Sequence, residues 1–466
     1  MTEQIRKKLS DSAGARWIAL LIVAFTMMMG YFITDVMSPL ENMLETPIAK
    51  GGLGWSTEYG FFSGAYGYIN VYLLMLFFGG LILDKMGVRF TGITSCLMMV
   101  VGVFIKYYAI AYVSPTETTL VNIPILGLSD AYVKNQVLLA AFGFSVFGMG
   151  CEICGITVSK IIAKWFTGHG MALAMGVQVS LARLGTAAAI AFSVPLANAF
   201  NRISAPILLG AVLLCIGTLA YVVYCVMDKK LDDSIETLPK EKAEKDTEDS
   251  ENFHFRDLKE IFINPGFWVI NLLCLLFYSG IFPFLKFATK LMISKYGIDQ
   301  DLAGAIPSIL PFGTILLTPI FGTVYDKIGK GATLMMIGSV MLTVVHILFA
   351  LPILNSAVFA IILMIMLGIS FSLVPSAMWP SVPKIIPMKL LGSAYAIIFY
   401  IQNIGLSMVP ILIGKVVDAN TIVVADGTKV TDFTDAMWIF ASFGIAAIVL
   451  SILLRVLDYK KHYGLE

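Results

Sequence analysis

Charge is what this 466-residue chain has least of: Asp, Glu, Lys and Arg together make up 14% of it, against about 25% in an ordinary soluble domain. Its 32 Lys and Arg nearly cancel its 31 Asp and Glu, leaving a net charge of +1. So little charge, so evenly divided, gives no basic face for a nucleic acid and rules out a disordered chain or a coiled coil. Cysteine is sparse too. The six (Cys96, Cys151, Cys154, Cys215, Cys225 and Cys274) all fall within apolar stretches, which excludes a disulfide framework. Cys151 and Cys154 have a redox or zinc spacing, but without a second pair or a neighbouring His they read as packing residues. The four histidines are scattered, and no metal or cofactor is expected. Nowhere is there an H-E-x-x-H, a G-x-S-x-G or a G-x-x-x-x-G-K-[ST], so the sequence offers an enzyme or a nucleotide-driven pump nothing to work with.

What the chain has instead is apolar length: 58% hydrophobic residues and a mean hydropathy of +0.85. A membrane-spanning helix needs roughly 20 mostly apolar residues. Twelve stretches qualify: 17–40, 58–82, 91–113, 136–163, 171–199, 203–227, 266–291, 301–325, 332–352, 355–383, 391–416 and 434–457. The runs are continuous rather than alternating, which argues against a barrel. The expected fold class is therefore an all-α integral membrane protein with the lipid bilayer as its solvent. With the N-terminus inside, 22 of the 32 basic residues lie on one side, which predicts that both termini are cytoplasmic. Region 228–260 holds 19 charged residues in 33 and reads as a solvated linker, with a short amphipathic helix near His254 to Glu260. The expected organisation is a tail at 1–16, six spans in 17–227, a linker at 228–265, six more spans in 266–457 and a second tail at 458–466.

The halves repeat. Gly80, Asp84, Lys85 and Gly87 after the second span recur as Gly322, Asp326, Lys327 and Gly329 after the eighth, each offset by 242 residues. A parallel repeat of this kind predicts two six-helix halves related by an axis along the membrane normal. In G-x-x-x-D-K-x-G the first glycine allows close helix approach, the Asp caps or bridges a neighbouring helix end, and the last glycine permits a tight turn.

On these motifs the chain resembles the major facilitator superfamily, in which this loop is a cytoplasmic latch that breaks and reforms as the halves rock. Longer segments resemble a dipeptide-carrying branch of that superfamily, whose animal members are lysosomal uniporters. They are Gly148 to Glu152, Lys164 to Gly168, Gly176 to Gly185, Leu367 to Leu373, Met378-Trp379-Pro380, Leu391 to Tyr395 and Ile401 to Leu406. Tyr31 to Asp35 and Phe282 to Phe284 add to the likeness. The resemblance implies a facilitative or secondary-active carrier of small zwitterionic peptides. It also implies that Glu152 takes the substrate ammonium and Arg183 the carboxylate.

The residues argue in the same direction on their own. An ionised group at the centre of a span costs roughly 2.5–3.5 kcal/mol on insertion scales, so it faces the bundle interior. Glu152 precedes Trp165, and Arg183 follows Gly170, each by 13 residues. On consecutive antiparallel helices this puts both at the same depth, about 20 Å from the cytoplasmic end. They form either a structural ion pair or a clamp for a zwitterion. Further candidate contacts are Gln178, Tyr66, Asn70, Lys286, Trp379, Tyr400, Gln402 and Asn403. Lys286 has snorkelling toward the outer surface as its rival reading, and snorkelling is the favoured reading for Lys106. Asp35 and Glu41, flanking Pro39, suit a gate or cap as well as a ligand contact. Glycines 143, 148, 150, 155, 176 and 185 are expected to allow close packing beside the charges. Prolines 375, 380, 383 and 387 are expected to break the tenth span.

The alternative to a dipeptide carrier is a proton-coupled carrier of organic anions or other small zwitterions. The N-terminal tail has no [DE]-x-x-x-L-[LI] sorting signal and the outer loops no N-x-[ST] acceptor. The expectation is therefore a monomer in a prokaryotic cytoplasmic membrane, without the accessory glycoprotein of animal relatives.

Overall fold

In a bilayer every backbone N–H and C=O must find its partner within its own segment, so a continuous apolar run folds as helix. A computed structural model describes residues 12–55, 58–126, 128–166, 171–236, 258–353, 355–386, 391–423 and 429–466. In the first half it has α1 (Ala13–Asp35), α2 (Glu41–Glu45), α3 (Glu58–Gly64), α4 (Tyr68–Tyr72), α5 (Met75–Tyr112), α6 (Asn135–Phe166), α7 (Met171–Ala199) and α8 (Ala205–Glu236). The second half has α9 (Leu258–Ile263), α10 (Pro265–Tyr296), α11 (Ala305–Ile328), α12 (Gly331–Ala350), α13 (Ala357–Ile385), α14 (Leu391–Ala419) and α15 (Thr434–Lys461). Local sequence sets several ends. Asn264 accepts from the N–H groups of Gly266 and Phe267, with Pro265 in the first turn of α10, and Gly297 and Gly329 end α10 and α11 in the left-handed region.

Eleven of the described helices are long and apolar enough to cross a membrane. The remaining passage, over 58–86, is built from pieces: α3, a 3-10 turn over Ala65–Gly67, α4 and the start of α5. The sequence predicts one continuous span there. Glycines 60, 64 and 67 explain the difference, because they form a face that lies directly on α14. A Cβ at Gly60 would stand 2.6 Å from the Pro410 carbonyl oxygen, and one at Gly64 2.3 Å from that of Ser407. Gly87, inside α5, has φ 76° and ψ 174° and turns the second passage into the third.

The tenth span also departs from expectation. α13 runs unbroken through positions 375, 380 and 383, and position 387 lies outside the described residues. The Trp379 carbonyl, which Pro383 leaves without its usual donor, accepts from the Tyr395 hydroxyl at 3.1 Å. Position 228 is not the start of a solvated linker: α8 continues to Glu236, and Asp228 is buried. Its carboxylate accepts from Lys164, Trp165 and Tyr224. Residues 237–257 lie outside the described residues, and the short helix expected near 254–260 is found at Leu258–Ile263. The all-helical reading also missed two antiparallel hairpins, β1 (Thr118–Ile123) with β2 (Leu128–Lys134) and β3 (Thr421–Val423) with β4 (Lys429–Thr431). Both fall in loops, outside the apolar runs.

Within the first half α5 packs on α6, and α1 packs on α7 and α8; within the second, α12 packs on α15 and α13, and α11 on α13. The halves meet where α7 lies on α11 and α3 on α14. Among the described residues, the hydrogen bonds and ion pairs between the halves run from mid-span to the face opposite the termini. At the terminal face a Cβ at Gly80 or Gly322 would meet nothing within 4 Å. The close helix approach expected at these two glycines is therefore not made in this conformation. Gly87 and Gly329 do take the matching positive φ, 76° and 70°. The side chains of Asp84, Lys85 and Asp326 are outside those described.

Candidate functional site

Between the halves lies a cavity of about 360 Å³, within the usual size of small-molecule sites. It receives side chains from α1, α3, α6 and α7 on one side and α10, α11, α13 and α14 on the other. Seven of the ten sequence candidates line it: Tyr66, Glu152, Arg183, Lys286, Trp379, Gln402 and Asn403. The other three do not. Gln178 sits one position before Val179, and it is Val179 that shares the cavity face of α7 with Arg183 at the helical spacing of four. Asn70 is buried against α6, its Nδ2 donating to the Gly148 carbonyl at 3.4 Å. Tyr400 donates across the halves to the Val71 carbonyl at 3.1 Å, a structural contact.

Glu152 and Arg183 are not bonded to each other. The Glu152 carboxylate accepts from the Tyr66 hydroxyl at 2.8 Å. Arg183 is seated on rings instead: its guanidinium carbon lies 5.0 Å from the centroid of Phe371, 5.1 Å from Phe282 and 5.8 Å from Tyr31. Neither residue makes an ion pair among the described residues. Close packing fixes both helices here. A Cβ at Gly148 would fall 2.0 Å from the Tyr66 carbonyl oxygen, and one at Gly185 2.1 Å from that of Met28. Gly176, by contrast, has open space around it.

Lys286 lines the cavity, but its ammonium is engaged by the first half. It donates across the halves to Asp35 Oδ1 at 2.6 Å and to the Thr34 carbonyl at 2.8 Å, so it does not snorkel. Lys106 does not snorkel either. It is fully buried, donates to the Ile33 carbonyl at 2.9 Å and lies 4.5 Å from the Phe144 ring centroid. Both lysines are drawn in by the unpaired carbonyls at the C-terminal end of α1, where the helix dipole favours cations. One helical turn further along α10, Lys290 bonds Glu45 at 2.5 Å and approaches Glu41 at 3.6 Å. The three are almost wholly buried. Asp35 and Glu41 are thus seam residues, in line with the gate reading.

Sequence reasoning missed the aromatic wall. Tyr278, Phe282 and Phe371 line the cavity beside Trp379, and Trp379 Nε1 donates to the Tyr278 hydroxyl at 3.2 Å. An aromatic in an apolar span carries no local mark of whether it faces lipid, core or cavity.

Two helical halves, a seam at one face and a charged cavity at mid-membrane define a multi-pass membrane transporter rather than an enzyme. The chain belongs to the major facilitator superfamily, whose family pattern it matches over residues 20–410. It is 25% identical to the human lysosomal dipeptide transporter MFSD1 over 418 residues, covering 87% of this chain and 80% of that protein. In fold it is similar to the nucleoside transporter NupG, with a TM-score of 0.62 and 16% identity over 94% of this chain and 98% of that one. It is similar also to a POT family transporter in complex with a thioalcohol-conjugated peptide. There the TM-score is 0.64 at 13% identity, over 95% of this chain and 96% of that one.

Proposed function

We propose that the protein carries dipeptides across the membrane by alternating access, with Glu152 holding the substrate ammonium and Arg183 its carboxylate. The observation that carries this reading is the charge balance of the cavity. Among the described residues, four charged side chains line it. Asp35 and Lys286 neutralise each other at 2.6 Å, while Glu152 and Arg183 have no charged protein partner among the described residues. One uncompensated charge of each sign suits a neutral molecule charged at both ends. The rings take no hydrogen bond from the guanidinium among the described residues, which leaves its N–H groups for a two-pronged bond to a carboxylate. The likeness to a lysosomal dipeptide transporter supports the same substrate class.

The arrangement corresponds to the state closed at the face opposite the termini. Exchange to the other state parts Lys286 from Asp35 and Lys290 from Glu41 and Glu45, and brings together the two G-x-x-x-D-K-x-G loops around Gly87 and Gly329 as the latch. Each half, 17–227 and 266–457, moves largely as a unit, and a single chain suffices. The excess of Lys and Arg on the terminal side supports cytoplasmic termini, and the membrane of this proposal is a prokaryotic cytoplasmic one.

Thermal unfolding of the purified protein against dipeptides, free amino acids, tripeptides and organic acids tests the proposal, because a ligand of the folded state raises the midpoint by mass action. Stabilisation by dipeptides, lost in both Glu152→Gln and Arg183→Ala, is the expected outcome. Stabilisation by simple organic anions that survives Glu152→Gln would contradict it and favour an anion carrier.

A further inference from the structure

We infer that the cavity reads a dipeptide by position, favouring an aromatic or bulky apolar residue at the C-terminal place over the same residue at the N-terminal place. This rests on the Glu152–Arg183 clamp proposed above. A carboxylate that forks onto a guanidinium lies in the guanidinium plane. The Arg183 guanidinium carbon lies 5.1 Å and 5.0 Å from the ring centroids of Phe282 and Phe371, so a carboxylate forked onto it sits close to both rings. The residue that carries the carboxylate therefore lies beside those rings, and its side chain emerges among them.

From there the rings continue across the second half. Phe282 meets Phe371 edge-on at 5.4 Å, Tyr278 lies 5.5 Å from Phe282 and 5.9 Å from Phe371, and Trp379 lies 6.4 Å from Tyr278. The indole N–H of Trp379 is taken by the Tyr278 hydroxyl, so Trp379, Phe282 and Phe371 offer a side chain their apolar ring surface. Burying a phenyl ring against such a wall is favourable through both area and ring geometry.

The Glu152 end is different in kind. The carboxylate is bonded by Tyr66, Ser63 lines the cavity one turn before Tyr66, and Asn403 faces it from α14. Asn403 Nδ2 donates to the Phe399 carbonyl at 2.9 Å and is also within reach of the Glu152 carboxylate, while its Oδ1 is buried without a partner among the described residues. An apolar side chain pressed here would cover polar groups it cannot satisfy, which is unfavourable. A small residue leaves that acceptor free for the substrate's own ammonium.

Sequence isomers provide the test, since Ala-Phe and Phe-Ala have the same composition and nearly the same tendency to enter a micelle. Equilibrium binding of Ala-Phe, Phe-Ala and Ala-Ala to the full chain in detergent is expected to give Ala-Phe an advantage of about tenfold over Phe-Ala. Trp379→Ala should bring that ratio close to one, and Trp379→Phe should restore most of it. Equal binding of the isomers, tighter binding of Phe-Ala, or a ratio unmoved in a folded Trp379→Ala protein would overturn the inference. In each case the clamp would stand, provided that Ala-Ala binds and loses binding in Arg183→Ala. If Ala-Ala itself fails to bind, the clamp reading falls and the inference with it. Should Trp379→Ala fail to fold, the wild-type ratio and the Trp379→Phe protein decide the matter.

Discussion

On the cavity wall the first half contributes Asp35, Glu152 and Arg183, whereas the second contributes Tyr278, Phe282, Phe371 and Trp379, with Lys286 as its one formal charge there. At the seam above the cavity the signs are sorted between the halves. Asp35, Glu41 and Glu45 come from the first half, and Lys286 and Lys290 from the second. A repeat that placed matching helices in each half has therefore diverged by task. The first half carries both signs of charge on the cavity wall, and the second carries a ring surface and the cations of the seam. The two halves depend on each other even at Arg183, a first-half residue held by two second-half rings.

The largest effects are expected at the first-half charges. Arg183→Ala and Glu152→Gln each remove one partner of a desolvated charge pair with the substrate, and dipeptide affinity is expected to fall about 1000-fold, read by calorimetry. The seam comes next. Lys290→Met leaves Glu41 and Glu45 buried without their cation, at about 3 kcal/mol, and a lower thermal midpoint should be partly restored by adding Glu45→Gln. Gly60→Val tests the contact of α3 with α14. Its Cβ would stand 2.6 Å from a carbonyl oxygen, overpacking that costs about 2 kcal/mol. Transport into proteoliposomes should drop, because the face opposite the termini can no longer close.

Tyr66→Phe is milder. It removes one hydrogen bond to Glu152 and should weaken dipeptide binding about fivefold.

The smallest effect is one of pH. Burial holds the Glu41 carboxyl above the usual carboxylate range, partly opposed by Lys290 and reinforced by Glu45. Tyr59 also lies beside this group, and Ser38, Ser63 and Asp35 surround Tyr59 in turn. The closed face then binds more protons than the open one. Its closure is favoured at acid pH and weakened as pH rises through the raised value, by a few-fold in population. Accessibility of a single introduced cysteine at the seam, followed against pH, should show this dependence and lose it in Glu41→Gln.

How much of this was legible in the sequence depended on whether the mark was local. A glutamate or arginine in the middle of an apolar run stands out alone, so Glu152 and Arg183 could be singled out as cavity residues, and most helical passages are legible the same way. Asp35 and Lys286 are 251 residues apart, and nothing in either neighbourhood announces the other. Lys106 looked like a residue reaching for the surface because its acceptor, the Ile33 carbonyl, is a backbone group on another helix. The prolines of α13 look like a break in sequence, yet tertiary contacts such as the Tyr395 hydroxyl on the Trp379 carbonyl carry the helix through. The rings around Arg183 were the least legible of all, since their meaning lies wholly in which way they face.

The central claim is that both ends of a dipeptide are gripped by uncompensated charges. Calorimetric titration of the purified protein with Ala-Ala, its N-acetyl derivative and its C-terminal amide tests it directly. Ala-Ala is expected to bind, and blocking either end to abolish binding. An amide or an N-acetyl peptide that bound as tightly as Ala-Ala would contradict it.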